Sequence, residues 1–166
     1  AMAEVSTLTI GTEFNLRALE SAILDQSAAF GSLPAQQTAA AYDIISAGAS
    51  NAAEAIEILD AANRLAIGGV TNVGTAADGL TSILNAYGDG VKSAADVSDT
   101  LFIGVRQGKT TINELSSSIG KVAPLAANAG VQFDELVGSI AALTSGGVST
   151  RESVTGVRAI LASVVK

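Results

Sequence analysis

Glycines recur at nearly constant intervals along the chain, and this spacing limits the length of any regular element. The intervals are 20, 20, 20 and 22 residues, and the glycines are Gly48, Gly68, Gly88, Gly108 and Gly130. Each follows an amphipathic run, and several runs begin at a capping pair: Asn51 with Glu54, Ser93 with Asp96, Thr111 with Glu114, and Ser149 with Glu152. A cap, an amphipathic run and a glycine in that order are typical of a short helix closed by a tight turn. The chain is therefore predicted to be all-α, a compact array of about seven to nine short amphipathic helices joined by glycine-containing turns.

Apolar residues in these runs recur at intervals of three and four, as one face of a helix requires. The stripes are Ala55, Ile58, Ala62 and Leu65; Ile112, Leu115, Ile119, Val122 and Ala126; Phe133, Leu136, Val137 and Ile140; and Val154, Val157, Leu161 and Val164. Two earlier helices are predicted, from about Glu13 to Phe30 and from Pro34 to Ala47. Pro124 should kink or divide the helix that begins at Thr111, because proline lacks an N–H and clashes with the preceding turn.

A spacing near 20 also suggests a solenoid, whose repeats share residues at equivalent positions. Only caps and glycines recur here, which favours evenly sized helices in an irregular packing. Hydrophobic residues make up 48% of the 166 residues but aromatic residues only 4%, and alanine supplies much of the apolar total. Alanine contributes little burial free energy, so we expect one domain over residues 1–166 with a thin core. The isolated chain should be modestly stable, or supported by neighbouring copies or segments.

The composition excludes several kinds of chemistry. The absence of Cys and His removes disulfides, thiol chemistry, the usual zinc ligands and the commonest general base. A net charge of −7 with scattered Lys and Arg argues against binding to a nucleic-acid backbone. No apolar run approaches the roughly 18 to 20 residues that span a bilayer, and nothing resembles a signal peptide. The opening Ala-Met-Ala, residues 1–3, is typical of a cloning remnant, and the chain is expected to be a fragment of a longer protein.

The tripeptide Gly108-Lys109-Thr110 resembles the end of a phosphate-binding loop. That loop requires another glycine five positions before Gly108, where this chain has Ile103, and it follows a buried strand rather than a helix. The alternative is a helix stop at Gly108, with a left-handed backbone there, followed by a helix start. In that start, the Thr111 hydroxyl accepts from the Glu114 N–H, and the Glu114 carboxylate accepts from the Thr111 N–H. The second interpretation explains more of the sequence.

Two sets of charged residues each allow a functional and a structural interpretation. The carboxylates of Glu54, Glu57 and Asp60 lie on neighbouring turns and suggest a cation site, but Asp60 and Arg64 have the i, i+4 spacing of an exposed ion pair, which we favour. The two lysines Lys109 and Lys121 could meet a phosphate or an acidic partner. Near helix ends, they are more simply explained by the negative end of the helix dipole or by solvent.

Aromatic and hydroxyl residues allow a similar choice. Tyr42, Phe102 and Phe133 suggest an interaction surface, although their helical spacing among Ala, Ile and Leu favours the core. The hydroxyl of Ser117 or Ser118 could be activated only by Lys121 in a chain without histidine, and Lys121 would have to be buried to lose its proton. No second feature supports that pair. No catalytic, cofactor-binding or metal-binding residue is therefore assigned, no cofactor is expected, and the chain is predicted not to be an enzyme.

The run from Val97 to Leu161 resembles the core region of phage tail tape-measure proteins. The family pattern has an Asp before an aromatic residue, a Gly-Lys-Thr step, a Glu-Leu, a Gly-Lys-Val-Ala-Pro, a Gly-Val, and a Leu-Thr before a second Gly-Val. In this chain the matching positions are Asp99, Phe102, Gly108, Lys109, Thr110, Glu114, Leu115, Gly120, Lys121, Val122, Ala123, Pro124, Gly130, Val131, Leu143, Thr144, Gly147 and Val148. The resemblance covers roughly residues 34–165, with a weaker match before residue 34.

This resemblance implies a structural segment of a phage or prophage tail. Tube subunits polymerise around an extended tape until they reach its end, and the tape leaves the tube when DNA is ejected. The implied partners are tail tube subunits, tail assembly chaperones and tail-tip proteins, with self-association possible. The implied locations are the interior of the tail tube in the virion and, during assembly, the host cytoplasm.

An all-helical interaction domain unrelated to phage is the alternative. The glycine breaks make this segment a poor continuous rod, so we expect it to fold compactly, with measuring done elsewhere or after it opens.

Overall fold

The computed structural model describes residues 15–164, and all regular structure in that range is helical. The described residues form nine α-helices and a 3-10 turn at Gly88–Gly90: α1 Leu16–Phe30, α2 Pro34–Ser46, α3 Ala52–Gly68, α4 Val73–Tyr87, α5 Ala94–Gln107, α6 Ile112–Ile119, α7 Ala123–Asn128, α8 Phe133–Ser145 and α9 Thr150–Val164. The predicted all-α class is confirmed, and the number of helices falls within the predicted range. Glu13 and Phe14, at the predicted start of the first helix, lie outside the described residues.

Side-chain caps fix where most of the helices begin. The four predicted capping residues each accept a hydrogen bond from the backbone N–H three residues later, at 2.9 to 3.3 Å: Asn51, Ser93, Thr111 and Ser149. Asn15 and Asn72 cap α1 and α4 in the same way. An uncapped helix leaves backbone donors unpaired, so each cap is worth about 1 kcal/mol.

The regularly spaced glycines end helices for two different reasons. Gly48, Gly88 and Gly130 have φ angles of 114°, 50° and 75°, in the region that side chains disfavour. Gly68 is instead the last residue of α3, where a Cβ would lie 2.5 Å from Cζ of Phe102. Gly108 has φ −100° and ψ 174°, which is extended, so the predicted left-handed conformation is wrong there.

Pro124 divides the helical run that begins after Thr111, as predicted. Helix α6 ends at Ile119, and α7 starts at Ala123 with Pro124 in its first turn. A proline in the first turn of a helix loses no helical hydrogen bond. Ending α6 before Pro124 therefore avoids the loss of stability that a proline in the middle of a helix causes.

Helix α4 is the centre of the packing. It contacts α2, α3, α5, α6 and α7, whereas helices of a solenoid contact mainly their sequence neighbours. Small residues let α4 approach α6 closely, because a Cβ on Gly79 would lie 2.7 Å from Ser116 and one on Gly120 would lie 3.1 Å from Ser82. The packing is therefore the irregular one that the sequence favours.

Alanine supplies 13 of the 33 buried apolar residues, which supports the prediction of a thin core, but twelve Leu and Ile side chains are almost fully buried. The stripes on α3, α6–α7 and α8 are buried throughout. The stripe on α9 is buried only at Val154; Val157 and Leu161 are half-buried and Val164 is exposed. Among residues 15–164, no helix combines the length and apolar character that crossing a membrane requires.

Candidate functional site

The Gly108-Lys109-Thr110 turn lies between α5 and α6 and is packed against α8. A Cβ on Gly108 would lie 2.5 Å from Oγ1 of Thr144 and 2.9 Å from Cα of Ala141. The Lys109 backbone N–H donates to Oγ1 of Thr144 at 3.2 Å. Glycine is needed at position 108 because another helix comes this close, and the sequence pattern within the turn gives no sign of that contact.

The hydroxyls of this turn are held by a carboxylate. Oγ1 of Thr110 lies 2.7 Å from Oγ1 of Thr150, and both hydroxyls donate to Oε2 of Glu114, at 3.3 and 3.1 Å respectively. The predicted return bond from Glu114 to the Thr111 N–H is not what the structure shows, because that carboxylate is directed to these two hydroxyls. A negative charge here would repel a phosphate, and the Lys109 N–H is already engaged. The turn is a joint between α6, α8 and α9 rather than a phosphate cradle.

Two of the three acidic residues of α3, Glu54 and Asp60, are engaged locally. Nε of Arg64 donates to Oδ2 of Asp60 at 2.7 Å, which confirms the predicted i, i+4 ion pair, and this hydrogen bond raises the pKa of Arg64. A carboxylate oxygen of Glu54 accepts from the backbone N–H of Ser50 at 2.8 Å. Within residues 15–164, no three acidic side chains lie close enough together to hold a metal ion.

The three aromatic residues considered as a surface differ in burial. Phe133 is buried, Phe102 is half-buried against Gly68, and Tyr42 is 36% exposed. The core interpretation therefore holds for Phe133 and partly for Phe102, and it is wrong for Tyr42. The structure does not bring the three together into one patch.

Tyr87 packs edge-on against Phe133, with ring centroids 5.6 Å apart. Its hydroxyl oxygen is buried and has no hydrogen-bond partner among the described residues. Burial, with a smaller effect of the carboxylates of Asp134 and Glu135, raises the pKa of Tyr87 to about 12. The phenol is therefore held in its neutral form.

The serine and lysine residues do not form a nucleophilic pair. Oγ of Ser117 donates to the backbone oxygen of Asn113 at 2.7 Å, and Ser118 is half-buried. Lys121 and Lys109 are both exposed, so neither has the burial that would favour a neutral amine.

A buried amide cluster, formed by Gln26, Gln37 and Asn63, joins α1, α2 and α3 and was not predicted. Nδ2 of Asn63 lies 2.9 Å from Oε1 of both Gln26 and Gln37, and Nε2 of Gln37 donates to Oδ1 of Asn63. Asn63 also bonds the carbonyl oxygen of Leu59. The available sequence signal was an asparagine within the Ala and Leu of α3, but its glutamine partners are separated by 26 and 37 residues.

A groove of about 540 Å³ lies between α2 and the junction of α3 with α4. The α2 side carries Gln36, Ala39, Ala40 and Asp43, which have the i, i+3, i+4, i+7 spacing of one helix face. The other lining residues include Phe30, Ala66, Ile67, Thr71, Asn72, Val73 and Gly74. The residues that line the groove come from several separate stretches of sequence. The spacing of motifs along the chain therefore could not predict it.

A family model described as phage-related minor tail protein matches residues 20–166. The chain belongs to this family. The match covers the helices that form the buried amide cluster as well as the Glu114 joint. Comparison with curated proteins gives no match, and comparison with solved structures gives none either.

In this phage-related minor tail protein, three polar side chains join helices. Glu114 connects α6 to α9, Asn63 connects α3 to α1 and α2, and Thr144 connects α8 to the turn before α6. Hydrogen bonds between helices fix their relative positions, which is a structural role.

Proposed function

We propose that this chain is the core segment of a tail tape-measure protein, which sets the length of the tail tube and leaves it at DNA ejection. The observation that carries the proposal is the family match over residues 20–166, combined with the ordered positions of Val97 to Leu161 that resemble tape-measure proteins. The family decides between the two function classes in favour of the phage tail. It also favours a structural role over an enzymatic one.

The contacts made at the resembling positions support a scaffold. Gly108 lets the turn approach α8, Glu114 joins α6 to α9, and Gly120 allows α6 to meet α4. Pro124 sets the start of α7. These positions determine how the helices pack. The family pattern therefore describes the shape of a segment and not a reactive centre.

The proposed setting is the interior of the tail tube, with the host cytoplasm as the site of assembly. Tube subunits would polymerise around the longer tape, assembly chaperones would hold it beforehand, and tail-tip proteins would meet its end. These partners come from the resemblance to tape-measure proteins. We propose that the segment enters assembly in the compact conformation described above.

The contribution of this segment to length depends on whether it stays folded. A compact unit of 150 residues has a radius of gyration of about 15 Å and spans about 40 Å. The same residues in one continuous helix would span about 225 Å. A folded segment and an opened one therefore predict different contributions to tail length.

An in-frame deletion of the codons for residues 15–164 in the phage that encodes the chain tests the proposal. Tail length is measured by electron microscopy of purified particles. Tails shortened by about 40 Å indicate a folded segment, and tails shortened by about 225 Å indicate an opened one. As a control, an unrelated helix-forming segment of equal length replaces the deleted codons. Particles with tails of unchanged length after the deletion would refute the ruler function.

A further inference from the structure

The last two turns of α9 carry apolar residues that the described residues cover only in part, since Val157 and Leu161 pack against the edge of the core. This second stripe, which replaces Val154 by Ile160, consists of Val157, Ile160, Leu161 and Val164, at positions i, i+3, i+4 and i+7. Ile160 is 64% exposed and Val164 is 72% exposed, while Val157 and Leu161 are half-buried. This is the anchor spacing with which an amphipathic helix binds in a groove.

The groove between α2 and the α3–α4 junction matches this stripe in length and character. Its α2 face extends over eight residues, from Gln36 to Asp43, and the stripe also extends over eight residues. Each span is about 10 Å along a helix. Ala39 and Ala40 are small enough to allow the backbone of another helix to come close, and Ile67, 58% exposed, offers an apolar contact on the opposite side.

One pair of opposite charges favours the same pairing. The groove lies in residues 15–90, which contain eight acidic and two basic residues, and the stripe lies in residues 91–164, which contain six of each. Asp43 lies at one end of the α2 face, and the exposed Arg158 follows Val157 at one end of the stripe. Placing Arg158 beside Asp43 makes the two helices antiparallel. The negative end of α9 then lies near the positive end of α2, which is favourable.

We propose that the α9 stripe of one copy binds in the α2–α3–α4 groove of a second copy. The two surfaces differ, so the contact is head-to-tail, and each copy keeps one free groove and one free stripe. Copies therefore add in a row and do not close as a symmetric pair. The contact is a property of the chain itself and does not depend on the tape-measure function.

Sedimentation of the full 166-residue chain over a range of concentrations tests the contact. The wild-type mass should rise with concentration beyond that of a dimer. Ile67→Glu places a charge in the groove and Ile160→Glu places one in the stripe, and each variant alone should remain monomeric. Both residues are exposed, so circular dichroism should show wild-type helicity for the two variants.

Mixing the two variants is the decisive measurement. The Ile67→Glu chain keeps its stripe and the Ile160→Glu chain keeps its groove, so the mixture should form a one-to-one dimer and nothing larger. A mixture that stays monomeric would overturn the proposal. Continued association of Ile67→Glu alone would also overturn it, because α9 would then be pairing with another α9 or with a different surface.

Charge exchange tests the orientation of the helices. Asp43→Arg and Arg158→Asp should each weaken the association about tenfold, and combining them in one chain should restore it. Asp78→Arg and Arg151→Asp make the same charge changes at exposed positions outside the two surfaces and should have little effect. Equal weakening by the test and control variants would show that net charge, and not the proposed pair, governs association.

Discussion

The amino-terminal region, residues 15–90, and the carboxy-terminal region, residues 91–164, share one hydrophobic core but contribute different side chains to it. Alanine supplies nine of the eighteen buried apolar residues in the amino-terminal region and four of the fifteen in the carboxy-terminal region. Phe133, the one aromatic residue buried in the described part of the chain, lies in the carboxy-terminal region. Burial free energy rises with apolar area, so the hydrophobic contribution per buried residue is larger there.

Two individual contacts, one in each region, show different ways of specifying the packing. In the amino-terminal region, Gln26, Gln37 and Asn63 connect three helices through buried hydrogen bonds. In the carboxy-terminal region, the α5–α8 contact depends on shape: a Cβ on Gly104 would lie 2.4 Å from Cγ1 of Val137. One contact is thus specified by polar partners, and the other by the absence of a single methyl group.

The largest effect is expected from shortening a core side chain of the carboxy-terminal region. Leu136→Ala removes a side chain that is 1% exposed and should lower the free energy of unfolding by about 3 to 4 kcal/mol. Leu143→Ala, on the same helix but 39% exposed, should cost under about 1 kcal/mol. Urea denaturation measures both. Similar losses for the two variants would contradict the difference in burial.

The amino-terminal region should be most sensitive to loss of one member of its amide cluster. Asn63→Leu leaves Gln26 and Gln37 buried without their partner and should cost about 2 to 3 kcal/mol. Asn85→Leu is the matched control, because exposed Asn85 also bridges helices by donating to the Ala47 carbonyl oxygen at 2.7 Å. That change should cost about 1 kcal/mol or less.

Replacing all three amides by leucine sharpens the same test. Removing every member of a buried polar set avoids orphaned groups, so the triple variant should be more stable than Asn63→Leu alone. A triple variant that loses roughly three times as much free energy as Asn63→Leu would show that each amide contributes independently. The cluster would then not act as a unit.

Helix starts, apolar stripes and the proline break were the features most easily predicted from sequence. Caps such as Thr111 and the stripe on α8 are local signals, because a cap acts within three residues and a stripe within two turns. Pro124 likewise acts on its own turn. Local chemistry therefore located the helices and the break between α6 and α7.

Contacts between distant residues were not predictable in this way. Gly108 was expected to be left-handed because glycine often ends helices so, whereas its backbone is extended and its small size is required by Thr144. The carboxylate of Glu114 was expected to complete a local capping box but binds Thr150, 36 residues away. A competing tertiary partner decided both cases, and nothing within a few residues of either position reveals it.

A moderate effect is expected from adding one methyl group at the α5–α8 contact. Gly104→Ala should lower the free energy of unfolding by about 1 to 2 kcal/mol, because overpacking against Val137 exceeds the gain in helix propensity. Gly138→Ala is the control, since its Cβ would meet nothing within 4 Å, and it should stabilise the chain by up to about 1 kcal/mol. Calorimetry compares the two. Stabilisation by both changes would mean that shape does not specify this contact.

A smaller effect is expected at the junction of the two regions, where Tyr87 of α4 meets Phe133 of α8. Tyr87→Phe removes a buried hydroxyl that has no partner in residues 15–164, so it should leave stability unchanged or raise it slightly near pH 7. The pKa of Tyr87 is raised to about 12, from an ordinary value of 10.0. The wild type should therefore lose stability relative to Tyr87→Phe as pH rises between those values. A constant difference from pH 9 to pH 12 would contradict this linkage.

The smallest effect is expected at the start of α9, where Glu152 completes a capping box with Ser149. Oε2 of Glu152 accepts from Oγ of Ser149 at 2.7 Å and from its N–H at 3.3 Å, and these bonds lower the pKa of Glu152 below its ordinary value of 4.5. A lowered pKa means that the stabilisation is present above 4.5 and is lost as pH falls through the folded-state pKa. The melting temperature of Glu152→Gln should thus lie slightly below that of the wild type at pH 7, with the difference shrinking as pH falls below 4.5. In a Ser149→Ala background the difference at pH 7 should shrink, because the hydroxyl donor is gone. If it stays the same size, Glu152 acts through the helix dipole and not through the capping box.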